Sequence, residues 1–354
     1  MTGTPYDTAP DTAFWSRAVA RGFRAADMLP QGTVLLRADD RVMSAGSCFA
    51  ANLVPHLEAS GFTYVRTERR HPALKVPPEN LGYDKFSAAY GNIYTARQLL
   101  QLLHRATGVF EPQERVWRDA EGSYVDPYRP GLRYRARSSR EYGLLTRQHL
   151  DFVRRAFSEA TVFVFTLGLT EAWVSQEDGA VFPACPGTVA GSFDAARHAF
   201  HNFSAAEVTA DLLAFLRDVR ALNPGLRVVL SVSPVPLVAT ATGGHVLAAT
   251  TYSKAVLRVA AGEVARAAEG VTYFPAYEIV TGPQAAYEAF APDRRSVSAA
   301  AVAEVMGCFF AHCEGSAAPP GAVAAAPDWQ ALSRAIAEAE CEEVLADPTL
   351  RPLR

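Results

Sequence analysis

Short apolar runs alternate with longer amphipathic stretches along most of the chain. Residues 41–45, 62–65, 161–167, 227–234 and 271–274 are nearly continuous in apolar side chains and short enough to be buried strands. Between most of them the apolar period is helical. Residues 49–60 put Phe49, Leu53 and Leu57 on one face and stop at Gly61, a residue suited to a helix C-terminus. Residues 204–222 open with Ser204-Ala205-Ala206-Glu207, the form of a capping box, and carry Val208, Leu212, Leu216 and Val219 on one stripe. Residues 252–268 and 298–312 read as further helices.

Strand and helix in this alternation predict an α/β fold, a parallel sheet covered on both faces. With right-handed crossovers it becomes a three-layer α/β/α, doubly wound, five-stranded, flavodoxin-like sheet. Ligands of such sheets sit beyond the carboxyl ends of the strands, which draws attention to the loops 46–49, 168–175, 235–251 and 275–297. Two stretches exceed the pattern and read as insertions in a domain spanning 1–314. Residues 66–146 are rich in Tyr, Arg and Pro, with a helix at about 95–106. Residues 174–203 are rich in Gly and Pro and should overhang the site. The Ala/Pro/Gly-rich residues 315–327 read as a linker to a C-terminal helix within 328–354.

Composition narrows the function. With 49% hydrophobic and 20% charged residues among 354, the chain can build a large core, and a net charge of −3 gives no reason to expect nucleic acid as partner. No apolar run is long enough for a membrane span, and residues 1–29 lack the apolar core of a signal peptide, so a cytoplasmic location is expected. Five irregularly spaced cysteines form neither a disulfide framework nor a zinc pattern, and no metal is expected.

Gly46-Ser47-Cys48 closes the first strand and opens the first helix. Glycine permits a tight turn, and the amides of a helix start favour negative charge, which lowers the pKa of a thiol and can hold an oxyanion. The structural alternative is a small buried cysteine with Ser47 as helix cap.

Residues 46–50 read Gly-Ser-Cys-Phe-Ala, and the chain resembles the GSCFA family over nearly its whole length. The likeness continues in Tyr90-Gly91-Asn92-Ile93-Tyr94, in Thr166 to Trp173, in Ser233-Pro234-Val235-Pro236, in Tyr252-Ser253-Lys254 and in Phe274 to Ile279. That family in turn looks like a distant branch of the SGNH hydrolases, α/β/α esterases and acyltransferases, many acting on acylated carbohydrates. The resemblance lays Gly46, Ser47 and Cys48 on the Gly-Asp-Ser nucleophile block, with Cys48 as nucleophile and Ser47 as the alternative one residue away. It lays Gly91, with Asn92 beside it, on the oxyanion-hole glycine, and Gly168 to Glu171 on the third block, where Thr170 replaces the usual asparagine. In the last block the chain reads Asp293-Arg294-Arg295-Ser296, so serine stands where the family's general-base histidine is expected.

A base must then come from elsewhere. His245 and His201, with His198, lie on loops expected at the active face, and Glu278 follows the fifth strand. The resemblance implies an acyl-ester hydrolase or O-acyltransferase working through a covalent acyl-enzyme on a small or glycan substrate, with no cofactor beyond an acyl donor such as acetyl-CoA. The alternative is a binding protein for an acylated or glycan ligand. Trp117, Trp173, Tyr124, Tyr128 and Tyr134 are candidates for stacking on sugar, or for packing. Arg133, Arg135, Arg137 and Arg140 form a basic run suited to solvent or to an anionic carrier. Cys185 is placed to approach the site if its loop folds over it.

Overall fold

The structure, a computed structural model, describes residues 3–69, 82–83 and 85–315. In chain order the strands are β1 (Arg41–Gly46), β2 (Thr63–Tyr64), β3 (Trp117–Arg118), β4 (Tyr124–Val125), β5 (Val162–Leu167), β6 (Glu171–Ser175), β7 (Val181–Phe182), β8 (His198–Asn202), β9 (Arg227–Val232) and β10 (Val271–Phe274). The helices are α1 (Trp15–Ala18), α2 (Cys48–Ala51), α3 (Leu53–Ala59), α4 (Ala96–Thr107), α5 (Ser139–Glu159), α6 (Ala205–Leu222), α7 (Val246–Ala267), α8 (Ala276–Thr281) and α9 (Ala299–Ala311).

The five expected strands form one parallel sheet in the order β10-β9-β5-β1-β2. The order reverses between β1 and β5, which makes their carboxyl ends the topological switch point. Side chains alternate across the sheet. Met43, Ala45, Phe163, Phe165, Leu167, Val228 and Leu230 face one core with α4, α5, α6 and α7. Val42, Val162, Val164 and Val229 face the other, with Leu53 and Leu57 of α3 and the apolar sides of α8 and α9. These two layers over one sheet are the three-layer arrangement that the alternating pattern implies.

Some elements differ from their periodicity. The single helix expected over 49–60 is two, joined at Asn52. Pro55 has no amide to bond the preceding turn, so the helix restarts around it. The helix expected at 252–268 begins at Val246; its added turns put only Val246 and Ala249 against Tyr94, Leu169 and Leu237 and leave Leu247 68% exposed, too short an apolar stripe to read. The capping box at Ser204 and Glu207 forms as expected. The excursion after β2 holds the β3–β4 hairpin and α4, and its end, within 66–146, is already part of α5. The 174–203 stretch supplies most of a second, antiparallel sheet, β7-β6-β8, which begins inside the third motif at Glu171. Strands of two to five residues leave too little alternation to be read from sequence. Beyond Gly315, the linker of 315–327 and the expected C-terminal helix lie outside the described residues. Among the described residues no helix is long and apolar enough to cross a membrane.

Candidate active site

The switch point is built around Gly46. Its φ is +150°, and a Cβ there would lie 2.7 Å from both the Ala50 Cβ and the Thr166 carbonyl oxygen. Only glycine lets β1 end this close to β5. Ser47 follows in extended conformation, buried, with no side-chain bond to the helix that starts at Cys48. The Cys48 side chain lies outside the described residues.

The Tyr90–Tyr94 motif laces the two strand ends together. The Tyr90 hydroxyl donates to the Ser44 carbonyl. Ile93 N donates to the Gly46 carbonyl at 2.9 Å, and Gly168 N and Leu169 N donate to the Tyr94 carbonyl at 3.0 and 3.1 Å. Gln98 holds this segment from α4: its Oε1 accepts from Tyr94 N and its Nε2 donates to the Asn92 carbonyl, each at 2.8 Å. Gly91, with φ +69°, turns the chain into it.

From the other side α7 supplies Ser253 and Lys254, both buried. The Lys254 ammonium donates to the Gly168 carbonyl at 2.5 Å, and Ser253 Oγ accepts from Thr170 N at 3.0 Å. Thr170 donates its hydroxyl to Asn202 Oδ1 at 2.6 Å. Both donors of Thr170 are thus engaged within the protein, which leaves neither for a ligand oxyanion. Gly46 pairs with Thr166. Strand spacing and rise put Gly168 on the order of 8 Å from Gly46, so Lys254 carries its charge to the same junction. Sequence reasoning gave Lys254 no role. The signal was present in the Tyr252-Ser253-Lys254 motif, but that the lysine is buried is a tertiary fact.

The remaining candidates are distributed differently. His245 is exposed and caps α7, its Nδ1 accepting from Leu247 N at 3.1 Å. His201 on β8 pairs its Nε2 with Glu207 at 2.8 Å. Its neighbour Phe200 faces the cavity described below, so His201 projects from the other face of the strand. His198 is buried between the Asp194 amide and Glu114. Glu278 binds Arg258 at 2.5 Å and the Tyr273 hydroxyl at 2.8 Å. It follows β10, three strand positions from β1, about 14 Å by strand spacing. Asp293 accepts from the Ser296 hydroxyl at 2.6 Å, and Arg295 Nε donates to the Pro236 carbonyl at 3.2 Å, which docks this loop on the one after β9.

Beside the junction opens a cavity of about 310 Å³ between the 94–98 turn, the start of β6, the 182–188 loop and residues 237–241. Most of its wall is apolar or aromatic. Glu171 is the carboxylate on its wall; Thr240 Oγ1 donates to it at 2.7 Å, and burial pushes its pKa up. Cys185 also lines it, its thiol pushed up to about 11 by burial, so it stays protonated. Of the aromatic candidates, Trp173 reaches this wall. Trp117 and Tyr128 are buried against Phe182, Tyr124 stacks on Tyr142, and Tyr134 donates to Glu141. In the basic run, Arg135 is turned back onto the Pro130 and Leu132 carbonyls. Among the described residues no group of three or more His, Cys, Asp or Glu is placed to hold a metal ion.

The sequence model of the GSCFA family matches residues 41–309, which takes in every sheet strand and the whole of this junction. No curated protein and no solved structure matches the chain.

Proposed function

The chain belongs to the GSCFA family, and from the junction that its motifs build we propose that it is an acyl-ester hydrolase or O-acyltransferase. The observation that carries this reading is the convergence of four motifs on one point: the Gly46-Ser47-Cys48 turn, the 90–94 lacing, the Gly168–Thr170 turn and the Ser253-Lys254 pair, with a cavity alongside. Such a strand–turn–helix junction at a switch point is where SGNH-like enzymes hold their nucleophile. Cys48 is the proposed nucleophile, since a thiol needs less activation than a hydroxyl near neutrality.

In the proposed reaction the Cys48 sulfur attacks the ester carbonyl carbon. The alkoxide leaves with a proton, and a thioester remains on the protein. Water then releases an acid, or an acceptor hydroxyl takes the acyl group and regenerates the thiol. Lys254 has the role of a positive charge beside the junction, favouring thiolate and oxyanion over their neutral forms. Carbohydrate esters are the substrate class that the SGNH resemblance suggests, and a cytoplasmic location goes with the same reading.

A second reading, a binding protein that does not turn its ligand over, is favoured by one observation. His245, His201 and His198 each have a ring nitrogen engaged elsewhere, and Ser296 stands at the expected base position.

Intact-protein mass spectrometry after incubation with p-nitrophenyl acetate or acetyl-CoA separates these. An acyl adduct in wild type and Ser47→Ala, absent in Cys48→Ala, is expected. Loss in Ser47→Ala alone moves the nucleophile by one residue. No adduct and no released nitrophenol in wild type supports the binding reading.

A further inference from the structure

We infer that the cavity beside the junction is a pocket for a medium-length or aromatic acyl group bearing a hydroxyl or amine, rather than for acetyl. That the occupant is an acyl group rests on the acyl-transfer reading; that the pocket binds an apolar body with one donor does not.

Size is the first consideration. At about 310 Å³ the cavity stands at the lower end of pockets that hold organic ligands. Set against the ~30 Å³ share of a water molecule, it takes on the order of ten non-hydrogen atoms. An acetyl group would leave most of it to solvent.

Wall chemistry is the second. Tyr94, Leu169, Trp173, Phe182, Phe200 and Leu237 present ring and aliphatic carbon. The Cys185 thiol, kept protonated by burial, adds a soft apolar surface rather than a charge. Glu171 breaks the apolar lining. Its carboxylate accepts from Thr240 and from Ala241 N at 3.4 Å, and each carboxylate oxygen has room for a further donor. A hydroxyl or amine satisfies it, whereas a phosphate or carboxylate against it meets like charge.

Position is the third. Tyr94 lines the cavity and its carbonyl holds Gly168 and Leu169, while the adjacent Ile93 holds Gly46. The pocket therefore begins within two residues of the junction, where the carbonyl end of a bound acyl chain would lie.

Two measurements test this. In the first, p-nitrophenyl acetate, butyrate and octanoate are compared by acylation rate per unit concentration. Burial of each added CH2 predicts about a fourfold gain, and Ala239→Phe, at an exposed wall position, is expected to collapse the octanoate-to-acetate ratio. In the second, tryptophan fluorescence is titrated with unreactive octanamide, 8-hydroxyoctanamide and acetamide, with Trp173→Phe as the reporter control. Octanamide should saturate and acetamide should not. The hydroxylated amide should bind about tenfold tighter, as expected for a hydrogen bond to a carboxylate, and Glu171→Ala should abolish that gain.

Octanamide binding without any ester acylation would retain the pocket and overturn the acyl-transfer reading. Acylation that is indifferent to chain length, with no octanamide binding, would overturn the pocket and leave the reaction standing. Equal binding of the two long amides would remove Glu171 from the assignment.

Discussion

Two buried polar assemblies flank the segment 89–95, and they are built on different principles. On one side, Arg129 sits between two carboxylates, Asp126 at 3.0 Å and Glu68 at 3.4 Å, and also donates to the Ala89 carbonyl. Glu68 accepts from Ala89 N at 2.8 Å and from His149 at 2.6 Å. A carboxylate only accepts, so His149 Nδ1 is the donor. Every member is nearly inaccessible and is held by others of the same group. On the other side, Lys254 gives its charge to a backbone carbonyl, and Ser253 and Thr170 hold amide and hydroxyl positions next to a cavity. The first assembly balances charge with charge, Arg105 adding a second cation 3.8 Å from Asp126. The second fixes the backbone at a point open to a ligand. Buried charge thus has two settings here, one in which carboxylates answer the cation and one in which the backbone answers it, beside residues that line the cavity.

The largest effect is expected from Arg129→Met. Removing the cation leaves Glu68 and Asp126 buried without it, and breaking a buried pair from one side costs about 3–5 kcal/mol. Urea unfolding measures this. A loss under about 1 kcal/mol would mean the closed assembly does not hold the fold. Lys254→Met probes the other assembly. Acylation should slow by about a hundredfold, near 3 kcal/mol in the barrier, with a smaller loss in unfolding free energy. Should rate and stability fall in proportion, the lysine would be structural only, and the contrast would dissolve.

The smallest effect is a pH dependence to which the closed assembly contributes. Burial, reinforced by Arg129, lowers the pKa of His149 from 6.5. Burial also disfavours the Glu68 charge, but His149, Arg129 and the Ala89 amide overcome it and hold that carboxyl at about 2, against 4.5 for an ordinary glutamate. Both groups bind fewer protons folded than unfolded at acid pH. Their stabilisation is present above the unfolded values and is lost on acidification, first below 6.5 through His149 and then from 4.5 towards 2 through Glu68. Unfolding free energies measured between pH 7 and pH 3 should therefore decline, and the part of the decline below pH 4.5 should be shallower in Glu68→Gln. An unchanged slope would remove Glu68 from the acid response.

Much of the fold was legible without coordinates. All five sheet strands and their parallel covering follow from apolar runs between helical periods. The capping box at Ser204 is local and forms as written, since its partners lie three residues apart. The short strands β6, β7 and β8 and the early start of α7 escaped, because a few residues of pattern carry no periodic signal.

The site divides in the same way. Sequence by itself determined the sheet, the position of the Gly46-Ser47-Cys48 turn between its first strand and the first helix, and the need for glycine at a strand-to-helix turn. Those features depend on neighbouring residues and on which face each side chain buries. Tertiary structure alone decided that Lys254 is buried against Gly168, 86 residues away, that Thr170 has its donors engaged, that His201 turns from the cavity, and that Glu278 belongs to Arg258 and Tyr273. Those pairings arise when distant segments are brought to one end of the sheet, and no periodicity along the chain records which side chains meet there.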